Sequence, residues 1–250
     1  MAPIAVIPAR YASTRFPGKP LALIRGKPMI QHVVERCHEA RCFEQVLVAT
    51  DDERIQQAAG AMGVEVVMTS AACASGTDRV AEVARALKLG ADDVVVNVQG
   101  DEPALHPQAL WLLCRAFDDA AVSMGTLVRP LDEAERGNPA VVKAVLAEDG
   151  RALYFSRADL PFQRDPGPQP IERWAHVGIY GYRVATLERL ASLPPTRLEQ
   201  TEALEQLRAL GHGVAITCVK TKHRSAAVDR PEDVSLAEAA LDALPKPYPP

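Results

Sequence analysis

The sequence predicts an α/β fold built on a mostly parallel sheet with flanking helices. Two observations predict it: short runs of apolar, mostly β-branched residues recur through the first half, and stretches with helical apolar spacing separate them. Four valines between Asp93 and Gln99 mark the clearest strand. Continuous apolar strands in a β-α-β order are typical of parallel strands that helices cover on both faces.

The predicted elements of the first half alternate without interruption. Apolar runs predict strands at 4–8, 46–50, 64–68 and 93–99. Residues at helical spacing predict helices at 29–37, 55–62 and 80–87. Pro28 is favourable at a helix start, and Gly63 and Gly90 suit helix ends.

The second half has a different character. Strands at 141–147 and 152–155 flank a Glu148-Asp149-Gly150 turn, which predicts a hairpin, and a loop at 161–170 holds four prolines. Further strands are predicted at 176–183 and 214–220, and helices at 184–190, 198–210 and from Pro231 onward. We expect one domain, 1–250, in which about 130–185 form a smaller hairpin-bearing lobe.

Composition restricts the class of protein. Of the 250 residues, 48% are hydrophobic, and the formal net charge of -4 gives no reason to expect nucleic acid as a partner. The sequence has no apolar run of membrane-spanning length and no cleavage-site pattern near its start, so we expect neither membrane insertion nor secretion. Five scattered cysteines without a CxxC pair favour a reducing cytoplasm over a disulfide framework or a zinc site.

A basic loop follows the first predicted strand. Residues 10–20 hold three cations and two hydroxyl groups, and Gly18 allows the backbone to approach a phosphate. Open α/β sheets bind ligands at the carboxyl ends of their strands. The loop matches neither GxxxxGK[ST] nor GxGxxG. A solvated basic loop is the alternative interpretation.

Two carboxylates from distant segments lie beside predicted elements of the chain. Asp101 follows the strand at 93–99, and Asp229 precedes Pro231. Helix capping is the alternative role for each of them. Mg²⁺ usually takes one or two carboxylates together with phosphate and water oxygens, so the pair suits that ion.

A series of short motifs runs in order through nearly the whole chain. They are IPAR at 7–10, GKPL at 18–21, GKPMI at 26–30, VATD at 48–51, SGTDR at 75–79, NVQGDEP at 97–103, YFSR at 154–157, GIYGYR at 178–183, LEQLR at 204–208 and VDRPED at 228–233. The series resembles the sugar-activating nucleotidyltransferases, most closely the 3-deoxy-manno-octulosonate (Kdo) cytidylyltransferases. One segment departs from it, because many relatives carry Arg-x-Asp-His where this chain has Ser70-Ala71-Ala72-Cys73.

The resemblance implies a Rossmann-like nucleotide-diphospho-sugar transferase fold, a homodimer, and Mg²⁺-dependent transfer of CMP from CTP to Kdo for lipopolysaccharide biosynthesis. The residues that it implies for the nucleotide are Arg10, Ser13, Lys19, Ser75, Gly76, Arg79 and Gln99. Those that it implies for catalysis are Arg10, Lys19, Asp101 and Asp229, the last two as Mg²⁺ ligands. Fixed cations stabilise the charge that nucleotidyl transfer spreads over phosphate oxygens. A helix N-cap at Thr77 is an equally supported role for the segment 75–79.

An acidic sugar needs a cation for its carboxylate and polar groups for its hydroxyls. Arg157 is the candidate for the carboxylate, because guanidinium pairs with carboxylate bidentately. The candidates for the hydroxyls are His176, Tyr180, Glu202, Glu205 and Gln206. A solvated polar helix face is the alternative for the last three.

Three other functions remain to be weighed. A cytidylyltransferase for 8-amino-Kdo or for sialic acid would carry the same motifs. A nucleotide-binding regulatory module without turnover is disfavoured by the two carboxylates and Lys19. A dehydrogenase is disfavoured because the glycine fingerprint is absent.

Overall fold

The protein is described here by a computed structural model covering residues 2–12, 16–165 and 171–244. Its strands are β1 (Ile4–Ala9), β2 (Leu23–Ile24), β3 (Lys27–Pro28), β4 (Gln45–Thr50), β5 (Glu65–Met68), β6 (Val94–Asn97), β7 (Met124–Pro130), β8 (Lys143–Leu146), β9 (Ala152–Ser156), β10 (Trp174–Arg183) and β11 (Thr217–Lys220). Its α-helices are α1 (Met29–Ala40), α2 (Glu53–Ala61), α3 (Gly76–Ala86), α4 (Pro107–Ala116), α5 (Val184–Ser192), α6 (Arg197–Glu202), α7 (Gln206–Gly211) and α8 (Val234–Ala243). Short 3₁₀ turns occupy Lys19–Leu21, Glu133–Glu135 and Pro231–Asp233.

The predicted α/β fold with a mostly parallel sheet is confirmed. The main path of the sheet runs β11-β7-β10-β6-β1-β4-β5, and β10 is antiparallel to both of its neighbours on that path. Apolar side chains of β1 alternate between two cores, because successive strand residues face opposite sides of a sheet. Ile7 packs with α1, α2 and α4 on one side, and Val6 packs with α3, α5 and α7 on the other.

The parallel strands β1 and β6 lie side by side and end at the same edge. Their register pairs Val6 with Asn97, so the residues that follow both strands emerge together. A β-carbon at Gly100 would lie 2.9 Å from the carbonyl oxygen of Pro8, a distance that such atoms essentially never show. Glycine at this position therefore permits the close approach of the two strand ends on which the site is built.

The predicted hairpin is also confirmed as β8 and β9, and it extends the main sheet. The first residues of β10 pair with β8, whereas its last residues pair with β6. The helix α4, the strand β7 and the short pair β2–β3 were not predicted. The predicted helix at 198–210 is wrong as a single element, because Ala203 takes a left-handed conformation with φ 51° and separates α6 from α7.

Across the described ranges, we find no helix that combines the length and the apolar character needed to cross a bilayer. The single-domain boundaries and the smaller lobe at about 130–185 stay predictions.

Candidate active site

Two adjoining cavities open at the carboxyl ends of β1 and β6, where the sequence predicts a ligand. The first, the cationic cavity, has a volume of about 340 Å³ and is lined by Pro8, Ala9, Arg10, Ala12, Lys19, Pro20, Gly76, Gln99, Gly100 and Asp101. The second, the polar cavity, has a volume of about 360 Å³ and includes Asn97, Thr77, Tyr180, Tyr182, Glu205, Gln206 and Arg208 in its lining. Arg10, Gly76 and Gln99 line both, so the two form one cleft.

The basic loop after β1 is closed by its own backbone. The N–H of Gly18 donates to the carbonyl of Tyr11 over 3.0 Å, and Gly18 holds the left-handed conformation that the turn requires, with φ 70°. Lys19 then begins a 3₁₀ turn that packs against α1. This geometry carries the Lys19 amine back to the strand end from which the loop departs.

Lys19 lies between the two carboxylates that the sequence singled out. Its amine is 2.7 Å from Asp101 and 3.4 Å from Asp229. The segment of Asp229 is brought there by the backbone, since the N–H of Val228 donates to the carbonyl of Asp101 over 2.9 Å. Val228 is fully buried beside Ile24. The predicted pair of acidic residues is therefore one cluster in space, although 128 positions separate them in the chain.

The cluster fits a divalent cation of the Mg²⁺ class. Two carboxylates that share one ammonium group are close enough to share a metal, and their oxygens are the ligand type that Mg²⁺ prefers. In the part of the chain that the structure describes, no group of three or more acidic, histidine or cysteine side chains forms a ready metal cage. Mg²⁺ commonly takes its remaining ligands from phosphate and water, so two carboxylates suffice.

A third carboxyl group, Glu102, lies behind this pair. Burial, together with the charges of Asp101 and Asp229, raises the pKa of Glu102 to about 7, although a hydrogen bond from the Ser225 hydroxyl opposes the rise. Glu102 therefore belongs to the electrostatics of the cluster, although it received no separate role in the sequence analysis.

The segment that departs from the family pattern holds Arg10. The Arg10 guanidinium donates to the carbonyl oxygen of Cys73 over 2.6 Å. Glu82, on α3, accepts from the N–H of Ser70 over 2.9 Å and from the Cys73 thiol over 3.0 Å. These bonds lower the pKa of the Glu82 carboxyl, chiefly through the thiol, and burial and Glu82 raise the pKa of Cys73. The backbone of this segment thus orients Arg10 through a carbonyl group.

The segment 75–79 begins α3 and borders the cleft as well. The N-cap is Ser75 instead of Thr77: its hydroxyl accepts from the N–H of Asp78, and the Asp78 carboxylate accepts from the N–H of Ser75. The same hydroxyl is 3.3 Å from Glu205 on the opposite wall. Ser75 therefore both caps α3 and lines the cleft.

The polar cavity is formed by β6, β10 and α7. Burial raises the pKa of both Tyr180 and Tyr182, with a contribution from the charge of Glu205, so both remain neutral hydroxyl groups near pH 7. Gln206 and Asn97 are buried beside them. The wall offers tyrosine hydroxyls, amides and one carboxylate, a set suited to a ligand with many hydroxyl groups.

Comparisons with known proteins agree with this geometry. The family model described as cytidylyltransferase matches residues 4–216. The chain is 57% identical over 242 residues to the 3-deoxy-manno-octulosonate cytidylyltransferase of Myxococcus xanthus, covering 96% of each chain. It is 52% identical over 233 residues to the enzyme of that name from Nitratidesulfovibrio vulgaris, covering 92% of each. The chain belongs to the cytidylyltransferase family.

Comparison with solved structures also finds a cytidylyltransferase. A CMP:2-keto-3-deoxy-manno-octonic acid synthetase in complex with CTP superposes with a TM-score of 0.90 at 40% identity, over 97% of this chain and 99% of the other. A glucose-1-phosphate thymidylyltransferase from Bacillus anthracis matches with a TM-score of 0.66 at 16% identity, over 99% and 98% of the two chains. The second likeness extends only to the fold.

Most of the predicted residues of this cytidylyltransferase meet in the cleft. Those that line it are Arg10, Lys19, Ser75, Gly76, Gln99, Asp101, Tyr180, Glu205 and Gln206. Asp229 joins them through Lys19. His176 lies one ring behind the wall: its Nε2 is 3.0 Å from the Thr126 hydroxyl, and its ring centroid is 5.4 Å from that of Tyr180. Ser13 lies outside the described residues.

Arg79 is not brought to the cleft. It is fully buried, and its guanidinium lies 3.3 Å from Asp51 and donates to the Thr69 hydroxyl. These partners follow β4 and β5. Arg79 therefore makes contacts other than the predicted ones with the nucleotide: it ties two strand ends together.

Arg157 and Glu202 also form a contact other than the predicted one. The Arg157 guanidinium donates to the carbonyls of Glu202, Pro139 and Ala203 over 2.8, 2.9 and 3.3 Å. The Glu202 carboxylate accepts from the Ser156 hydroxyl and from the N–H of Arg157, which lowers its pKa. Together they form a clamp between the end of β9 and the α6–α7 turn, and Arg157 supports the wall that carries Glu205 and Gln206.

Among the residues that line or support the cleft, Asn97, Arg208 and Glu82 received no role in the sequence analysis. Asn97 carried a readable signal, because strand alternation places it on the same face as Gln99. Arg208 lines the polar cavity and pairs with Glu199 over 2.6 Å. Glu82 carried no signal, since its role depends on the fold of the segment that precedes α3.

Proposed function

We propose that this cytidylyltransferase transfers CMP from CTP to Kdo and releases pyrophosphate, with Mg²⁺ as its metal. The observation that carries the proposal is the continuity of the two cavities: Lys19 and Asp101 line only the first, tyrosine hydroxyls, amides, Glu205 and Arg208 line only the second, and Arg10 and Gln99 face both. A nucleoside triphosphate suits the cationic cavity, and a polyhydroxylated sugar acid suits the polar cavity. The reacting atoms would then meet at Arg10 and Gln99.

The reaction exchanges a phosphoanhydride bond for a phosphoester bond. The anomeric hydroxyl of Kdo attacks the α-phosphorus of CTP, a new oxygen–phosphorus bond forms, and the bond to the bridging oxygen of pyrophosphate breaks. The proton of the hydroxyl passes to water, and pyrophosphate leaves with the bond electrons. Arg10 and Lys19 stabilise the negative charge on the transferring and leaving phosphates, because their positions are fixed before the reaction begins.

Asp101 and Asp229 would hold the metal. A bound Mg²⁺ offsets phosphate charge and lowers the pKa of a hydroxyl group that it polarises. When the metal and the triphosphate arrive, the Lys19 amine exchanges its carboxylate partners for phosphate oxygens, since both are anionic acceptors.

We also propose a cytoplasmic homodimer that serves lipopolysaccharide biosynthesis. Two large apolar side chains at the hairpin side support a protein contact there: Leu153 is 62% exposed and Phe162 is 85% exposed. Sedimentation velocity on the wild type and on a Leu153→Asp, Phe162→Asp variant checks the dimer. A monomer in both samples would contradict it.

Pyrophosphate release tests the activity. We expect turnover with CTP and Kdo, much less with UTP or ATP, and none without a divalent cation. Parallel reactions with 8-amino-Kdo and with N-acetylneuraminate decide between the acidic sugars. If no sugar releases pyrophosphate from CTP, the proposed function is wrong; if 8-amino-Kdo is turned over faster than Kdo, the acceptor is wrong.

A further inference from the structure

Two buried amides in the polar cavity each present one atom that has no hydrogen-bond partner among the described residues. Asn97 is 2% exposed and Gln206 is 7% exposed, and both line this cavity. Among the described residues, nothing donates to Oδ1 of Asn97, and nothing accepts from Nε2 of Gln206. Buried polar atoms in folded proteins are nearly always satisfied, because a buried group that has lost water and gained no partner costs free energy.

The positions of the two amides indicate which ligand satisfies them. Gln99 lines both cavities, whereas Asn97 lines the polar cavity and lies two residues farther from the cationic end on the same strand face. In the sheet, Asn97 pairs with Tyr180, another residue of that cavity. A ligand atom beside Asn97 therefore belongs to the acceptor.

The chemistry of the amide oxygen narrows the choice of group. Oδ1 of Asn97 can only accept a hydrogen bond, and a sugar carboxylate at neutral pH has no hydrogen to donate. A hydroxyl group can donate to Asn97 and can also accept, as Nε2 of Gln206 requires. Arg208 lines the same cavity, and its guanidinium suits the carboxylate.

We propose that Asn97 is a specificity-determining residue for the acceptor sugar. Oδ1 of Asn97 accepts a hydrogen bond from one sugar hydroxyl group, and Nε2 of Gln206 donates a hydrogen bond to another oxygen of the sugar. This inference rests on the proposed function, because it takes a sugar acid as the ligand of the polar cavity. It assigns Asn97 to the sugar and leaves the phosphates of CTP to Arg10 and Lys19.

The test is a double-mutant cycle between residue and ligand. Turnover is measured for the wild type and for Asn97→Ala with Kdo and with analogues deoxygenated singly at C4, C5, C7 and C8. We expect Asn97→Ala to lower kcat/KM for Kdo by about ten- to a hundredfold, mainly through KM, with the Kd for CTP changed less than twofold. One analogue should have a low kcat/KM with the wild type and nearly the same kcat/KM with Asn97→Ala. The hydrogen bond to Asn97 is already missing when the wild type binds that analogue, so the substitution removes nothing more.

Three results would overturn the proposal. The first is equal loss with every analogue, and the second is a weakening of CTP binding that matches the loss with Kdo. The third is an unchanged KM for Kdo in Asn97→Ala. Asn138→Ala is the matched control, since that exposed asparagine accepts from the N–H of Ala140 and lines neither cavity, and it should behave as the wild type.

Folding and function are checked separately. If Asn97→Ala does not fold, the isosteric Asn97→Asp replaces it, and its charge should raise the KM for Kdo and leave the Kd for CTP less affected. An unchanged KM in a folded Asn97→Asp variant would also overturn the proposal. Wild-type turnover of CTP and Kdo tests the proposed function alone, so normal turnover with no role for Asn97 refutes only this inference.

Discussion

The two cavities of the cleft are built in opposite ways. In the cationic cavity the charged groups already have partners: Lys19 contacts Asp101 and Asp229, and Arg10 donates to the Cys73 carbonyl. In the polar cavity, Asn97 and Gln206 present amide atoms that nothing in the described chain satisfies. Binding on the first side exchanges ionic partners, whereas binding on the second side supplies hydrogen bonds that were missing.

The two cavities also differ in the hydrogen bonds that hold their walls in place. The cationic side is held by backbone hydrogen bonds, Gly18 to Tyr11 and Val228 to Asp101, which no side-chain substitution removes directly. The polar side depends on a side-chain clamp, Arg157 with Glu202. Substitutions on the cationic side should therefore change chemistry with little effect on the fold, and substitutions on the polar side should alter acceptor binding and stability together.

The largest expected effect is that of Asp101→Asn. The variant loses an anionic ligand at the proposed metal, so kcat should fall by about a hundred- to a thousandfold while the protein stays folded. Initial rates against Mg²⁺ concentration and circular dichroism check both parts. Asp118→Asn, in which an exposed pair with Arg115 is removed, is the control. A variant with the wild-type rate and magnesium dependence would contradict the metal assignment.

Lys19→Ala should have the next largest effect. Loss of a fixed cation should lower kcat/KM by roughly a hundredfold. It also leaves Asp101 and Asp229 facing each other without the shared amine, so Mg²⁺ alone should raise Tm more in the variant than in the wild type. Thermal melts with and without Mg²⁺ measure this difference, with Lys27→Ala as the exposed control. An equal effect of Mg²⁺ on both proteins would show that the carboxylates are not a metal site.

The cationic side is also the part that the sequence predicted best. Valine-rich runs identify β4 and β6, the apolar stretch 4–8 identifies β1, and a ligand at their carboxyl ends follows from the rule for open α/β sheets. Arg10, Lys19 and Asp101 are local to those strand ends, so their position along the chain nearly determines their position in space. Asp229 needed the family resemblance, because its approach depends on a backbone bond to Asp101.

The polar side was predicted less well because its geometry depends on tertiary contacts. Nothing in the sequence marks Ala203 as left-handed, since alanine is the strongest helix former, yet its carbonyl and that of Glu202 accept from Arg157. The strand β7 contains Gly125 and ends at Pro130, which conceals its strand pattern. The helix α4 could have been found from Pro107 at its first position and its apolar spacing.

Arg157→Ala should have a smaller effect than the substitutions on the cationic side, and this effect should be on acceptor binding and stability. Loss of the clamp shifts the wall that carries Glu205 and Gln206, so the KM for Kdo should rise by roughly tenfold, with the Kd for CTP unchanged. Stability should fall by about 1–3 kcal/mol, because three carbonyls lose a charged donor. Kinetics and urea melts measure the two effects.

A second substitution separates a clamp from a direct sugar contact. Glu202→Gln should also raise the KM for Kdo, because it weakens the same clamp through other hydrogen bonds, those from the Ser156 hydroxyl and from the N–H of Arg157. Arg151→Ala, in the turn of the same hairpin, is the control. A rise of several hundredfold in KM with unchanged stability would instead place Arg157 on the sugar.

The smallest expected effect is a pH dependence that arises behind the polar wall. Burial lowers the pKa of His176 to about 3, whereas a histidine in the unfolded chain titrates near 6.5. Between these values the unfolded state binds a proton that the folded state does not bind. The free energy of unfolding should therefore fall as the pH is lowered from about 6.5 toward 4, by at most about 1.4 kcal/mol per pH unit from this group.

His176→Gln should remove part of this slope and leave the remainder. Burial and His223 also lower the pKa of His106, to about 4, so that residue on the α4 side contributes in the same direction. Urea melts at half-unit steps between pH 4.5 and 7.5 compare the wild type, His176→Gln and the exposed control His38→Gln. Because the pKa of His176 in the folded protein is about 3, this histidine stays neutral in the folded enzyme, and it should leave the KM for Kdo unchanged over the same interval in the wild type. A slope that His176→Gln leaves unchanged would mean that this histidine already carries its proton in the folded state, and that the polar wall is wetter than its packing indicates.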